Sequence, residues 1–211
     1  MARLIVFDMD GVLTDTESSW VYVHKHFKVD NENSLSAYLR GELTDAEFIR
    51  SDIRLWKEKD ADISLERIER ILRGVPLMPG GLEVMRRLRE SGLKTAVVSA
   101  GIDLLAKRIV SELDMDFQLA NGLEADPNGR LTGEGIPRVS LKNKGAAVDK
   151  VSDHFGVERK DIVSVGNSRY DIPMFDRSGK GIAYRPSDDR IREMADAVVE
   201  VGDLTGILKH V

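Results

Sequence analysis

The run from Leu4 to Asp15, LIVFDMDGVLTD, constrains the fold more than any other part of this chain. Leu4, Ile5, Val6 and Phe7 form a short apolar segment without polar alternation, the pattern of a strand buried on both faces in a parallel sheet. Asp8 and Asp10 follow at once, and Gly11 lets the backbone turn. Two carboxylates two apart at a strand end can share one polar pocket and hold a hard cation such as magnesium. A solvated acidic turn would use the same residues, so the DxD spacing by itself leaves both readings open.

Beyond Asp15 the pattern becomes helical as far as about Met78. Glu17, Trp20, His24 and Phe27 fall at a helical stride and predict one face of a first helix. Thr44 and Glu47 have capping-box spacing ahead of Phe48, Ile49, Ile53 and Trp56, and Ser64 can cap a third helix carrying Leu65, Ile68, Ile71 and Leu72. This helical insertion, bounded by Asp15 and the Pro76 to Gly81 turn, either only packs or closes over a site made by the rest of the chain.

From Gly80 helix and strand alternate. A helix to about Glu90 precedes a buried strand, Leu93 to Val98, which ends in Ser99, Ala100 and Gly101, with a helix starting at Ile102 or Asp103. Such a turn offers a hydroxyl and free backbone N–H groups to an anion, although any strand-to-helix unit makes one. Phe117 to Glu124 and Arg130 to Glu134 flank a turn at Asp126 to Gly129 and predict a β-hairpin, a flap near the site or a surface excursion.

Lys142 and Lys144 fall near the start of a helix expected over Leu141 to Phe155, where the helix dipole disfavours cations, so they either answer a negative charge or are simply solvated. A strand at Ile162 to Val165 runs into Gly166, Asn167, Ser168, Arg169, Tyr170 and Asp171, followed by a helix at Ile172 to Asp176. Gly181 to Tyr184 and Ala197 to Val201 predict two more strands. The alternation predicts an α/β fold with a doubly wound parallel sheet, whose ligands bind at the carboxyl ends of the strands.

Composition narrows the partner. A chain of 211 residues, 42% hydrophobic and 32% charged, can bury a core in one medium domain with a smaller insertion. A net charge of −5 without a basic run argues against nucleic acid. There is no cysteine for disulfides or thiolate chemistry, and the apolar runs are too short to span a bilayer. A small ligand and a cytoplasmic location are therefore expected, with monomer and homodimer both open.

Four motifs in order, DMDGVLTD, VVSAG, KNKG and VGNSRYD, resemble the haloacid dehalogenase superfamily over nearly the whole chain, within its phosphoserine phosphatase-like branch. The helical insertion after the first motif, the FQLANGL entry to the hairpin and the IPMF after the last motif fit the same branch. The resemblance implies a Rossmann-like core, residues 1–14 and 79–211, with a hairpin flap near 117–135 and a helical cap over 15–78. It also implies a magnesium-dependent phosphatase acting on a small phosphorylated metabolite. Asp8 would be the nucleophile that becomes an aspartyl-phosphate, and Asp10 the general acid and then base. Ser99 with the N–H groups of Ala100 and Gly101 would bind the phosphoryl oxygens with Lys144, Lys142 being the second candidate. Magnesium would be held by Asp8, Asp10, Asn167 and Asp171. Phosphoryl transfer to another acceptor, or ligand binding without turnover, would use the same residues; dehalogenation fits less well because Asp10 is present.

Several residues depart from that branch. Asn167 stands where a second metal-binding aspartate is usual, and an amide ligates magnesium without bringing charge. The cap glutamate that receives a substrate amine is matched by Glu17, beside Trp20, but the place of the cap arginine that receives a carboxylate holds Asp52. A usual asparagine becomes Tyr170, and a cap phenylalanine becomes Asp45. An inward Asp52 would repel a carboxylate, making phosphoserine a poor substrate and favouring a neutral or cationic leaving group. The alternative is a surface Asp52 paired with Arg50 or Arg54, selecting nothing.

Overall fold

The computed structural model describes residues 2–211. Strand β1 (Leu4–Phe7) is buried along its whole length because it lies mid-sheet. Alternate side chains point to opposite faces, so Ile5 and Phe7 join one hydrophobic cluster while Leu4 and Val6 join the other. Four helices follow it: α1 (Ser19–Phe27), α2 (Glu32–Arg40), α3 (Asp45–Lys59) and α4 (Leu65–Leu72). The chain then continues through α5 (Gly81–Glu90), β2 (Lys94–Ile102), α6 (Asp103–Leu113), β3 (Phe117–Ala125), β4 (Leu131–Ile136) and α7 (Gly145–Phe155). It ends with β5 (Ile162–Gly166), α8 (Ile172–Phe175), β6 (Lys180–Tyr184), α9 (Asp189–Met194), β7 (Ala197–Val199) and a 3-10 turn over Leu204–His210.

The seven strands run in the order β4-β3-β2-β1-β5-β6-β7, all parallel except the β3–β4 pair. Helices cover both faces, the doubly wound α/β arrangement expected from the sequence. Phe7 pairs in register with Val97 of β2 and Val165 of β5, so the carboxyl ends of β2, β1 and β5 lie side by side. This is where an open parallel sheet binds ligands.

Local chemistry explains the helices of the insertion. The Thr44–Glu47 capping box is formed, Ser64 accepts from Arg67 N at 3.3 Å, and Ser18 caps α1. Because Ser18 is the cap, Glu17 precedes α1 and does not share its face as the helical stride suggested. Helix α2 was not legible: it lacks a side-chain cap bond, and its Asn and Ser residues are weak helix formers. Tertiary packing of the buried Tyr38 against Phe48, rings stacked at 4.7 Å, secures it. The chain leaves and re-enters the sheet side by side, with Met78 N donating to Leu13 O at 2.8 Å and Asp15 N to Pro76 O at 3.0 Å.

The hairpin extends a core strand. The first half of β3 pairs with β2, and its second half turns away to pair with β4. It lies against α3 so closely that a Cβ on Gly135 would fall 2.1 Å from Ile49 Cγ2. Arg50 grips Glu134 with two nitrogens, and Leu131 N donates to Ile63 O at 2.9 Å. The hairpin is thus bound to the helical insertion.

Candidate active site

Asp8 follows β1 directly, its backbone N donating to Val165 O at 2.9 Å. It is 4% exposed, and Lys144 Nζ lies 2.8 Å from its Oδ1. That contact is an ion pair whose alignment falls short of a hydrogen bond, so Oδ1 has no directed donor. Burial, then the nearby Asp171 charge, push the Asp8 carboxyl up to about 7, with Lys144 opposing.

Asp10 is fixed by a residue the sequence reading missed. Ser19 donates both its backbone N–H and its hydroxyl to Asp10 Oδ2, each at 2.9 Å, and its Oγ accepts from Ile102 N at 3.0 Å. The first residue of α1 is thereby tied to the end of β2 and to the turn after β1. Asp10 Oδ1 is buried without a hydrogen-bond partner. Burial raises the Asp10 carboxyl above the usual range, and the Ser19 donors partly offset it. A Cβ on Gly101 would lie 2.8 Å from Asp10 Oδ2 and 2.5 Å from Ser19 Oγ, so only glycine admits this approach.

Ser99, Ala100 and Gly101 lie within β2, which continues past the expected end at Val98 through a register irregularity to Ile102. Gly101 N donates to Ser99 Oγ at 3.0 Å, leaving the Ser99 hydroxyl hydrogen free to donate into the cavity. The Ala100 carbonyl accepts from Trp20 Nε1 at 3.0 Å and Asn121 Nδ2 at 2.9 Å. Trp20 therefore links the helical insertion to the Ser99–Gly101 segment, and Asn121 braces that segment from β3.

Helix α7 starts at Gly145, four residues later than expected, so neither lysine lies in its first turn. Lys144 occupies the residue ahead of it and is buried between Asp8 and Asp171, 2.6 Å from Asp171 Oδ1. Burial pulls its ammonium down, but Asp171 and Asp8 together outweigh burial and hold it above its usual range. Lys142 points elsewhere, donating to Tyr38 O at 2.7 Å with its ammonium 4.2 Å from the Tyr38 ring centre. Of the two, Lys144 lines the cavity beside Asp8.

Asp171 is fully buried, and its Oδ2 accepts from Asn167 N, Ser168 N and Ser168 Oγ at 2.9, 3.0 and 3.2 Å. Its Oδ1 accepts from Lys144, so both oxygens of Asp171 are held from within the chain. Asn167 is packed over the turn after β1: Gly11 has φ +77, and a Cβ there would lie 2.0 Å from Asn167 Nδ2. No cluster of three His, Cys, Asp or Glu suited to a metal occurs among the described residues. The oxygen set nevertheless suits a hard cation, because Asp8 and Asp10 each present a buried oxygen without a directed donor and Asn167 lies beside them.

Asp8, Asp10, Ser99, Ala100, Gly101, Lys144 and Asn167 open into one cavity of about 370 Å³, bordered also by Glu17, Trp20, Tyr170, Asp45 and Asp52. Glu17 is exposed at its edge and Tyr170 half-buried. Asp52 is 1% exposed. Arg50 and Arg54 pair instead with Glu134 and Glu58, so the expected alternative of a surface pair to Asp52 is corrected.

The profile of the haloacid dehalogenase-like hydrolases matches residues 5–176. A phosphoserine phosphatase of Archaeoglobus fulgidus is 32% identical over 97% of this chain, which spans 58% of that protein's length. One from Methanocaldococcus jannaschii is 30% identical over 99% of this chain and 97% of its own length. The structure of a phospho-aspartyl intermediate analogue of phosphoserine phosphatase superposes with a TM-score of 0.82 at 29% identity, covering 100% of this chain and 99% of the other. A substrate-bound phosphoserine phosphatase complex gives 0.81 at 27% identity, with the same coverage.

Proposed function

The chain belongs to the haloacid dehalogenase-like hydrolases, as a phosphatase related to phosphoserine phosphatases, and from that premise we propose that it hydrolyses a small phosphomonoester other than phosphoserine through an aspartyl-phosphate on Asp8. The observation that carries this reading is the buried Asp8 beside Lys144 at 2.8 Å, with Asp10 held next to it by Ser19. Lys144 and the free Ser99 hydroxyl hydrogen receive the phosphoryl oxygens. The Asp8 carboxylate attacks phosphorus in line while the bond to the leaving oxygen breaks, and protonated Asp10 gives that oxygen its proton. Asp10, now ionised, takes a proton from water as the water oxygen attacks phosphorus, which releases phosphate and restores Asp8. Asp8, Asp10 and Asn167 would hold magnesium, whose positive charge would favour ionised Asp8 and offset phosphoryl charge.

The experiment is release of nitrophenol from p-nitrophenyl phosphate with magnesium and with EDTA. Turnover that requires magnesium is expected; none from folded protein at saturating magnesium overturns the reading and favours ligand binding without turnover. Asn167→Asp is expected to lower the magnesium concentration for half-maximal turnover by about tenfold, since a charged ligand replaces a neutral one. Unchanged magnesium dependence and unchanged turnover would remove Asn167 from the metal site.

Ser19→Ala tests the acid role of Asp10. Losing the hydroxyl removes a donor that lowers the Asp10 carboxyl, so it rises further. The acid then stays protonated to higher pH, and the alkaline limb of kcat/KM should move upward while kcat falls by about 10-fold or more. A lower rate with an unmoved limb would indicate only lost packing.

A further inference from the structure

The wall of the cavity formed by the inserted helices carries a buried negative charge that no cation of the chain answers among the described residues. Asp52 borders the cavity from α3, and its Oδ1 accepts from Asn31 Nδ2 at 2.9 Å. His24 Nε2 lies 3.5 Å from the same oxygen, too far for a sound hydrogen bond, and is buried without a partner. Trp56 Nε1 donates to His24 Nδ1 at 2.7 Å. A nitrogen that accepts carries no proton, so this pattern assigns a neutral ring with its hydrogen on Nε2. Asp52 thus has an amide and a neutral imidazole beside it, and both adjacent arginines are engaged on other carboxylates.

The surroundings repeat the sign. Asp45 borders the same cavity and accepts from the Tyr38 hydroxyl and from Ser140 Oγ. Lys144 is the one basic side chain lining the cavity among the described residues, and it is held between Asp8 and Asp171. Trp20, Tyr38, Phe48 and Tyr170 add aromatic surface, whose ring faces attract cations. A buried carboxylate without a cationic partner is costly, whereas a ligand cation would restore the pairing and a ligand carboxylate would add repulsion.

We propose that Asp52 is the specificity-determining residue of this cavity and selects a phosphomonoester whose alcohol carries a cationic nitrogen and no carboxylate. The inference rests on the phosphatase reading above and names the class of ester that the site takes.

Binding is measured by calorimetry on the Asp8→Asn protein with magnesium, so that esters are held without turnover. The probes are O-phosphoethanolamine, the uncharged comparison ethyl phosphate, and O-phosphoserine. Phosphoethanolamine should bind about 10-fold or more tightly than either other ester, the difference expected of a desolvated charge pair against a missing or opposed one. Adding Asp52→Asn should make phosphoethanolamine and ethyl phosphate bind alike. Phosphoserine binding as well as phosphoethanolamine, a preference that survives Asp52→Asn, or no binding of phosphoethanolamine overturns the proposal. The three-ester comparison stands even if the Asp52 variant fails to fold. Failure of the phosphatase reading is seen separately, in the nitrophenyl phosphate assay on the native enzyme.

Discussion

Replacing Lys144 by methionine is expected to destabilise the metal-free protein by about 3–5 kcal/mol, because it strands two carboxylates in a buried site. Lys144 is 3% exposed and lies 2.8 Å from Asp8 and 2.6 Å from Asp171, while methionine keeps most of its volume and none of its charge. Urea unfolding in EDTA checks this. The loss should be largest above neutral pH, where Asp8 is ionised, and should shrink as pH falls and Asp8 takes up its proton. A loss that does not vary with pH would mean that Lys144 contributes packing alone.

Asp8→Asn should lower turnover of p-nitrophenyl phosphate by about 10⁴-fold or more, the scale at which removal of a catalytic nucleophile is usually read. The same substitution should stabilise the metal-free protein at neutral pH. Asp8 is raised from 3.8 to about 7, chiefly by burial, so the folded state holds its proton more tightly than the unfolded chain. Stability is therefore lost as pH rises between those two values and is level above the higher one. The asparagine protein lacks this loss, so its advantage in EDTA should grow across that window, reaching on the order of a few kcal/mol. Equal stability of the two proteins at pH 5 and pH 8 would show that burial of Asp8 carries no electrostatic cost.

Much of the fold was legible because its signals are local. Four consecutive apolar residues bounded by Asp8 define β1, and the Thr44–Glu47 pair starts α3 where its spacing says it should. Asp126 Oδ1 accepts from Asn128 N and Arg130 N, forming the expected hairpin turn. Signals that depend on distant partners were not legible. Ser19 looks like any helix-start serine, yet its hydroxyl joins Asp10 to Ile102, 83 residues later in the chain. Helix α2 lacks a side-chain cap bond and is secured by Tyr38 stacking on Phe48. Helix α7 starts late, and Lys144 just ahead of it reaches between Asp8 and Asp171, partners that lie far away in the chain.

The sequence by itself determined the α/β class, the helical insertion after the first strand and the chemical groups at the strand ends, since periodicity and turn chemistry act over a few residues. Only the tertiary structure decided how those groups are paired and buried. It separated Lys144 from Lys142, committed Asp171 to Lys144 and the turn after β5, and placed Asp52 inside. The physical reason is that a charged side chain's role is set by what neutralises it. For Asp52 the sequence offers two adjacent arginines, whereas the fold gives both to other acids and leaves the carboxylate facing an amide, a neutral imidazole and the cavity.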